Sequence, residues 1–202
     1  MPTLLIASRN AHKAGEIAAI LGDDFTVRTL AKLPAAPEVV EDGDTFAANA
    51  VKKATEIAAW LGSQARPDLV LADDSGLEVD ALDGAPGVHS ARYAGGESNA
   101  PDDANNAKLL RELADVADES RGAQFQCMLA LVALGQAAEV RTFEGICRGR
   151  IAQAQAGQGG FGYDPLFVPD AHELSFAELG REVKNAISHR AQALAKLAEY
   201  FR

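Results

Sequence analysis

Two adjacent carboxylates, Asp73 and Asp74, follow a short apolar run at residues 69–72. The run comes soon after Pro67 and ends in polar residues, which predicts a buried strand. Ligands of open α/β sheets bind outside the carboxyl ends of strands, so the two acids are candidates for a metal site or a general base. Because Asp, Ser and Gly also form ordinary turns, a turn after the strand is the alternative interpretation.

A polar loop, residues 8–13, follows a first predicted strand at residues 3–7, and apolar residues then recur at helical spacing up to Gly22. A loop before a helix presents free backbone N–H groups and the positive helix end, which favour phosphate. The loop lacks the glycine pattern of a P-loop or a dinucleotide fingerprint. Lys13 could contact phosphate as a point charge, although a lysine here is also an ordinary surface residue.

A helix over residues 45–61 follows an acidic stretch at residues 38–44, with Asp44 or Thr45 as its N-cap. Lys53 falls on its apolar stripe, so the side chain leans inward and needs a partner, unless its stem only snorkels. Glu41 has a functional role only if it faces Asp74, because acids before a helix also stabilise the macrodipole.

The loop at residues 157–165 holds four glycines, and Phe161 stands between Gly160 and Gly162. Glycines let the backbone approach a ligand closely, and an aromatic ring held there can stack on a planar base. A flexible turn with a core aromatic is the alternative.

The remaining elements are a strand at 27–30, a helix at 99–114, a hairpin of strands near 125–131 and 140–147, and a last helix at 185–201. That last helix is predicted to bury Ile187, Leu194, Leu197 and Phe201. Lys184, Ser188, His189 and Arg190 cluster at its start, where they could face an anion or a carbonyl.

Composition and charge exclude several classes of protein. The 202 residues fit one domain, and 48% hydrophobic content is that of an ordinary globular protein. A net charge of −10 argues against nucleic-acid or anionic-membrane binding. The sequence has no segment long enough to span a bilayer and no secretory signal, so we expect a cytoplasmic protein. Cys127 and Cys147 show no metal-ligand spacing and are expected to be buried thiols.

Together these residues predict a nucleotide site, with carboxylates for Mg²⁺, cations for phosphates and an aromatic for a base. Mg²⁺ takes one or two carboxylates plus substrate phosphates, which suits Asp74 with either Glu41 or Asp73.

The chain also resembles the inosine triphosphate pyrophosphatases along essentially its whole length. The resemblance rests on six segments in the same order, at residues 7–13, 45–54, 72–77, 84–93, 159–165 and 184–190. Many members have glycine where Arg9 and His12 stand here.

The resemblance implies a single α/β domain over residues 1–202, with an elongated mixed sheet and flanking helices in two lobes around a central nucleotide-binding cleft. It implies a homodimer that hydrolyses inosine, deoxyinosine and xanthosine triphosphates to the monophosphate and pyrophosphate, with Mg²⁺ as cofactor and Mn²⁺ as its substitute. Asp74 would be the general base, and Glu41 and Asp74 would hold the metal. The substrate-binding residues would be Ser8, Asn10, Lys13 and Lys53 for the triphosphate, Ser75 for the nucleotide, and Phe161, Gly162, Tyr163, Asp164, Lys184, His189 and Arg190 for the base and sugar.

Hypoxanthine and xanthine carry a 6-keto oxygen where adenine carries an amino group. A donor such as Arg190, or a backbone N–H near His189, would favour the keto form. Two rival functions are a nucleotide-binding regulator without chemistry and a phosphatase that releases orthophosphate.

Overall fold

The structure is a computed structural model that describes residues 1–62, 67–96, 98–135 and 139–202. Its strands are β1 (Thr3–Ile6), β2 (Thr26–Thr29), β3 (Leu69–Val79), β4 (Gly122–Ala133), β5 (Val140–Ile151) and β6 (Phe167–Pro169). Its α-helices are α1 (Ala11–Leu21), α2 (Phe46–Leu61), α3 (Asp102–Glu112), α4 (Phe176–Ile187) and α5 (His189–Tyr200).

The strands form one mixed sheet in the order β2-β1-β3-β4-β5-β6. β1 pairs in parallel with β2 and β3, whereas β5 and β6 are antiparallel. The predicted α/β class with a mixed sheet and flanking helices is confirmed.

The chain divides into two compact units, and unit 1 comprises Met1–Asp74, Cys127–Gly145 and Arg190–Arg202. Successive residues of β1 point to opposite faces, and both faces are covered. Leu4 and Ile6 pack in a cluster with residues of α1 and α5, while Leu5 packs in a second cluster with residues of α2. Burial on both faces explains why the strand reads as a continuous apolar run.

Unit 2 comprises Ser75–Gln126 and Ile146–His189. Its core is rich in aromatic rings: the ring centroid of Phe167 lies 4.7 Å from that of Phe125 and 5.4 Å from that of Phe176. Leu77, Leu109 and other residues of β3 and α3 complete this cluster.

Strand β3 is longer than predicted. It runs on to Val79, so Asp73 and Asp74 lie inside the strand and the turn interpretation is wrong. Leu77 and Val79 continue the buried pattern beyond the two acids. A buried strand tolerates such acids when other groups pair with them, and both carboxyl groups have polar partners in this fold.

The prediction of one helix at residues 185–201 is wrong. Ser188 has extended backbone angles, φ −66° and ψ 162°, and separates α4 from α5. Helix α4 begins earlier, where Ser175 and Glu178 form a capping box. That Ser-x-x-Glu pattern is a sequence signal for the earlier start.

Burial along α5 agrees with the prediction only in part. Leu194 and Leu197 are buried as expected, but Phe201 lies beyond the end of α5 and is 43% exposed. Its predicted burial is wrong, because the helical spacing does not extend past Tyr200.

Other local predictions hold. Thr45 is the N-cap of α2, and its hydroxyl accepts from the N–H of Ala48. Cys127 in unit 1 and Cys147 in unit 2 are free, buried thiols. Among the described residues no helix is both long and apolar enough to cross a membrane.

Candidate active site

The predicted site residues divide between the two units. Unit 1 contains Ser8, Asn10, Lys13, Glu41, Lys53, Asp74 and Arg190, and unit 2 contains Ser75, Phe161, Gly162, Tyr163, Asp164, Lys184 and His189. Each unit therefore has its own set of charged and polar side chains.

In unit 1 the first loop is ordered by its own side chains. Asn10 is the N-cap of α1, and its Oδ1 accepts from the N–H groups of His12 and Lys13 at 2.9 and 3.1 Å. Ser8 Oγ accepts from the N–H of Asn10 at 3.1 Å. Arg9 donates to the carbonyl of Ala36, within unit 1. The loop therefore holds the start of α1, with its positive end, in a defined conformation.

Four acids and three cations of unit 1 form what we call the acid cluster. Its members are Glu16, Glu41, Asp73, Asp74, Lys13, Lys53 and Arg190. They come from α1, α2, β3, α5 and the loop before α2.

Asp73 is the most heavily paired acid of the cluster and is only 1% exposed. Its Oδ1 accepts from Lys13 Nζ at 2.9 Å, and its Oδ2 accepts from Arg190 Nε at 2.8 Å. The Cys127 thiol also donates to Oδ2, at 3.3 Å. Burial alone would raise the pKa of Asp73, but Arg190 and Lys13 together hold it well below its usual range. Asp73 is therefore an ionised carboxylate enclosed by donors.

The cations around Asp73 are held in the same way. Burial lowers the pKa of Lys13, but Asp73 more than offsets this, so the pKa lies above its ordinary value. Arg190 is 1% exposed, and its Nη1 donates to Glu16 Oε2 at 2.5 Å. The predicted anion or carbonyl partners of Arg190 are, in this structure, the carboxylates of Asp73 and Glu16.

Glu41, Lys53 and Asp74 form the other half of the acid cluster. Lys53 Nζ lies 2.7 Å from Glu41 Oε1 and donates to the backbone carbonyl of Asp73 at 3.1 Å. Burial would raise the pKa of Glu41, but Lys53 outweighs it and the net direction is downward, with a hydrogen bond to Asp74 contributing. Lys53 thus leans inward as its helical position predicts, and Glu41 does meet Asp74.

Asp74 differs from its neighbour in the direction of its pKa shift. Burial raises the pKa of Asp74 to about 6, with the Glu41 charge adding to the effect and Lys13 and Lys53 opposing it. Its Oδ2 is buried and has no hydrogen-bond partner within the described ranges. A carboxylate with an open oxygen and a pKa near neutrality is suited to accept a proton or to bind a cation.

The carboxylate oxygens of this cluster suit a hard divalent cation such as Mg²⁺. No group of three or more His, Cys, Asp or Glu side chains arranged for a metal occurs in the described part of the chain. Mg²⁺ needs only one or two protein carboxylates when substrate phosphates and water complete its shell. The unpartnered Oδ2 of Asp74, beside Glu41, meets that requirement.

In unit 2 the glycine-rich loop, residues 157–165, is organised by Asp164. Its Oδ2 accepts from the N–H of Phe161 at 2.8 Å and from Lys184 Nζ at 2.5 Å. Lys184 Nζ also lies 4.4 Å from the centroid of the Phe161 ring. Gly160 has a φ of +75°, and a Cβ there would lie 2.0 Å from Asp164 Oδ2, so only glycine fits.

The other predicted residues of unit 2 are held by the protein itself. Tyr163 is 4% exposed and donates to the carbonyl of Ser90 at 2.8 Å. The His189 ring is 3% exposed and stacks on Phe125 at 4.8 Å. Gly162 N–H donates to Asp102 at 2.6 Å, and Ser75 is half-buried in β3.

Sequence reasoning missed Glu16 and Asn49. Glu16 is buried on α1, four residues before Ile20, which packs against the core, and a polar residue at that helical spacing was a usable signal. Asn49 is 1% exposed on α2, where its Oδ1 accepts from the N–H of Gly43 at 2.8 Å and its side chain hydrogen-bonds to Asp74. Its helical position among Phe46, Ala50 and Lys53 could have revealed it.

A family model described as the Ham1 family matches residues 4–200. The chain belongs to the Ham1 family. A dITP/XTP pyrophosphatase of Geobacter sulfurreducens is 52% identical over 201 residues, which cover 99% of this chain and 96% of that protein. A protein of the same name from Opitutus terrae is 51% identical and covers 98% of both chains.

Solved structures of similar proteins agree with the fold. A HAM1 protein from Coxiella burnetii has a TM-score of 0.86 and 38% identity, covering 100% of this chain and 98% of that one. A nucleoside-triphosphatase / dITP/XTP pyrophosphatase from Mycobacterium abscessus has a TM-score of 0.73 and 43% identity, covering 96% and 98%. The family resemblance drawn from the six sequence segments is confirmed.

Proposed function

We propose that this member of the Ham1 family hydrolyses non-canonical purine nucleoside triphosphates, namely those of inosine, deoxyinosine and xanthosine, to the monophosphate and pyrophosphate. It is a hydrolase that acts on an acid anhydride and removes unwanted nucleotides from the pool. Relatives at about half identity over nearly their whole length carry the name dITP/XTP pyrophosphatase. One observation carries the proposal: Asp74 and Glu41 lie together beside two lysines. Asp74 has an open oxygen, and its pKa is raised.

Asp74 acts as the general base in this proposal. Its carboxylate removes a proton from a water molecule, whose oxygen attacks the α-phosphorus. The bond from the α-phosphorus to the bridging oxygen breaks, and pyrophosphate leaves. Burial raises the pKa of this carboxyl in the metal-free protein, and its ionised form is the base that this step needs.

Glu41 and Asp74 hold Mg²⁺, for which Mn²⁺ substitutes. When bound, the metal ion supplies positive charge that neutralises the triphosphate. Ser8, Asn10, Lys13 and Lys53 bind the phosphates, supported by the start of α1 and the two lysine ammonium groups of the acid cluster.

The nucleoside is assigned to the remaining predicted residues, which are Ser75, Phe161, Gly162, Tyr163, Asp164, Lys184, His189 and Arg190. Phe161 offers the only partly exposed ring among them, whereas the Tyr163 and His189 side chains are buried. Phe161 is therefore the stacking residue in this proposal, and Tyr163 contributes through its backbone.

Product identity tests the function. Purified protein with inosine triphosphate and Mg²⁺ should release inosine monophosphate and pyrophosphate in equal amounts, with adenosine triphosphate as the poor substrate. Release of orthophosphate would identify a phosphatase instead, and binding without turnover would identify a nucleotide-binding regulator.

Excess chelator tests the cofactor. EDTA should abolish turnover, and added Mg²⁺ or Mn²⁺ should restore it. Full turnover in excess EDTA would contradict the assignment of Glu41 and Asp74 to a metal.

The assembly and location follow the family resemblance. We propose a homodimer of single-domain subunits, each spanning residues 1–202, in the cytoplasm. Sedimentation equilibrium should give twice the subunit mass of 21.2 kDa. A single subunit mass at micromolar concentration would contradict the dimer.

A further inference from the structure

We propose that Asp73 is a positioning residue that directs the Lys13 ammonium toward the substrate phosphates, rather than a ligand of the metal ion. The inference rests on the phosphate-binding role of Lys13 in the proposed function. It assigns separate tasks to two carboxylates that are adjacent in the sequence.

The lone pairs of the Asp73 carboxylate are already occupied. A carboxylate has about four acceptor sites. Asp73 receives Lys13 Nζ at 2.9 Å, Arg190 Nε at 2.8 Å, Cys127 Sγ at 3.3 Å and Arg190 Nη2 at 3.5 Å. It is also 1% exposed. A metal ion would have to displace a buried donor, whereas Asp74 offers an open oxygen.

Asp73 is itself held in place. Arg190 binds Asp73 through one edge of its guanidinium and Glu16 through Nη1, and both the arginine and its partners are buried. A planar guanidinium with several bonds has a fixed orientation. The oxygen that faces Lys13 is therefore fixed as well.

Lys13 is able to act on a ligand while it is bound to Asp73. Its side chain remains 17% exposed, whereas the side chain of Asp73 is fully buried. An ammonium has three N–H donors, and the bond to Asp73 uses one. Fixing this flexible side chain before the substrate arrives reduces the entropy lost on binding.

Lys53 provides an internal comparison. It bonds to the backbone carbonyl of Asp73 and to Glu41, not to the Asp73 side chain. A substitution of the Asp73 side chain should therefore disturb Lys13 and leave the hydrogen bonds of Lys53 intact.

Isothermal titration calorimetry with inorganic triphosphate in EDTA tests the inference. The measurement involves no metal ion, no nucleobase and no catalytic step. Asp73→Asn should weaken binding about tenfold, a scale typical of coupling between contacting residues. Removal of a negative charge near an anion would by itself strengthen binding, so the sign of the change separates positioning from bulk electrostatics. Unchanged or tighter binding overturns the proposal, and so does a wild-type protein that fails to bind the probe.

A double-mutant cycle identifies the side chain through which Asp73 acts. The double variant Asp73→Asn with Lys13→Met should bind the probe no more weakly than Lys13→Met alone. In contrast, the effect of Asp73→Asn should add to the effect of Lys53→Met. Additive effects with Lys13→Met overturn the proposal. Asp80→Asn is the control. Asp80 lies just after β3 and forms an ion pair with Arg148, so this variant also breaks an Asp–Arg pair but should leave binding of the probe unchanged.

Two further measurements keep the outcomes separate. If circular dichroism shows that Asp73→Asn is unfolded, Asp73→Glu replaces it. This variant keeps the negative charge but moves the carboxylate. If Asp73 positions Lys13, the variant should bind the probe more weakly, and if the charge of Asp73 only stabilises the fold, binding should not change. Pyrophosphate release from inosine triphosphate by the wild type tests the proposed function independently. Turnover by the wild type together with tight probe binding by Asp73→Glu would overturn this inference alone.

Discussion

The acid cluster of unit 1 and the glycine-rich loop of unit 2 both bury ionised groups, but with different balances of charge. In the acid cluster four carboxyl groups share three cations, and Asp74, whose pKa is raised by burial and further by the Glu41 charge, keeps an open oxygen. In the loop one carboxylate, Asp164, pairs with one ammonium, Lys184. An excess of one acid leaves a reactive group, whereas a balanced pair leaves a structural one that shapes the loop.

The two regions also differ in the secondary structure that holds their side chains. Asp73, Asp74, Lys13 and Lys53 stand on a strand and two helices, which hold side chains rigidly. Phe161 stands on a loop whose path depends on Gly160 and Asp164. We therefore expect substitution of Asp74 in the acid cluster to act on turnover, and substitution of Phe161 in the loop to act on binding of the nucleoside.

The largest expected effect is loss of catalysis in the acid cluster. Asp74→Asn keeps the size of the side chain but removes its charge and its basic oxygen. The kcat should fall by roughly 10²- to 10⁴-fold, the range for a lost general base. Turnover within a few-fold of wild type, in a variant that circular dichroism shows to be folded, would sink this assignment.

The balanced pair of the loop should matter most for stability. Asp164→Asn removes the carboxylate from the buried ion pair with Lys184, which should lower the free energy of unfolding by about 3–5 kcal/mol. Urea titration measures the change. Asp42→Asn breaks the exposed pair with Lys52 and serves as the control, with no measurable loss expected. Equal effects of the two variants would remove the distinction between the loop pair and a surface ion pair.

A smaller effect is expected from loss of the base stack. Phe161→Ala should lower kcat/KM by the equivalent of about 1–3 kcal/mol of transition-state binding, the usual scale for a stacked base. The cost should appear mainly in KM if the loop acts on binding. An unchanged kcat/KM would mean that Phe161 is only a packing residue of the loop.

An effect of similar size is expected on stability without metal, and here the substitution should stabilise the protein. The pKa of Asp74 in the folded protein, about 6, lies above its ordinary value of 3.8, so the folded state binds the proton more tightly than the unfolded chain. Its contribution to stability is complete below pH 3.8 and is lost as pH rises through about 6. Asp74→Asn should therefore be more stable than wild type at pH 8 by about 1–3 kcal/mol in EDTA, since a tenfold change in proton affinity corresponds to about 1.4 kcal/mol. Parallel urea titrations at pH 4 and pH 8 check this, and a stability difference independent of pH would exclude ionisation of Asp74 as its cause.

The sequence predicted those parts of the site that depend on local periodicity. Lys53 leans inward because it shares a helical stripe with Ala50 and Ile57. Asp73 and Asp74 differ in environment because alternate residues of a strand point to opposite faces.

Features that depend on distant partners could not be predicted. Asp73 sits inside a strand because it is paired with Lys13, 60 residues away, and with Arg190, 117 residues away. Without those partners the segment after Ala72 has the composition of a turn, so the full length of β3 was not predictable. Similarly, the pairing of Asp164 with Lys184 depends on where α4 packs, which the glycine pattern does not specify.

The two buried cysteines are native probes of conformational opening in each unit. Each unit contains one, and burial raises the pKa of Cys147 to about 11 and that of Cys127 well above its usual range. Thiols in this state react slowly, and only a conformation that exposes them to water lets an alkylating reagent reach the sulfur. Labelling of native protein followed by peptide mass analysis would therefore time the exposure of Cys127 and Cys147 separately. Different labelling rates would show that the units open independently, and equal rates would show that they unfold together.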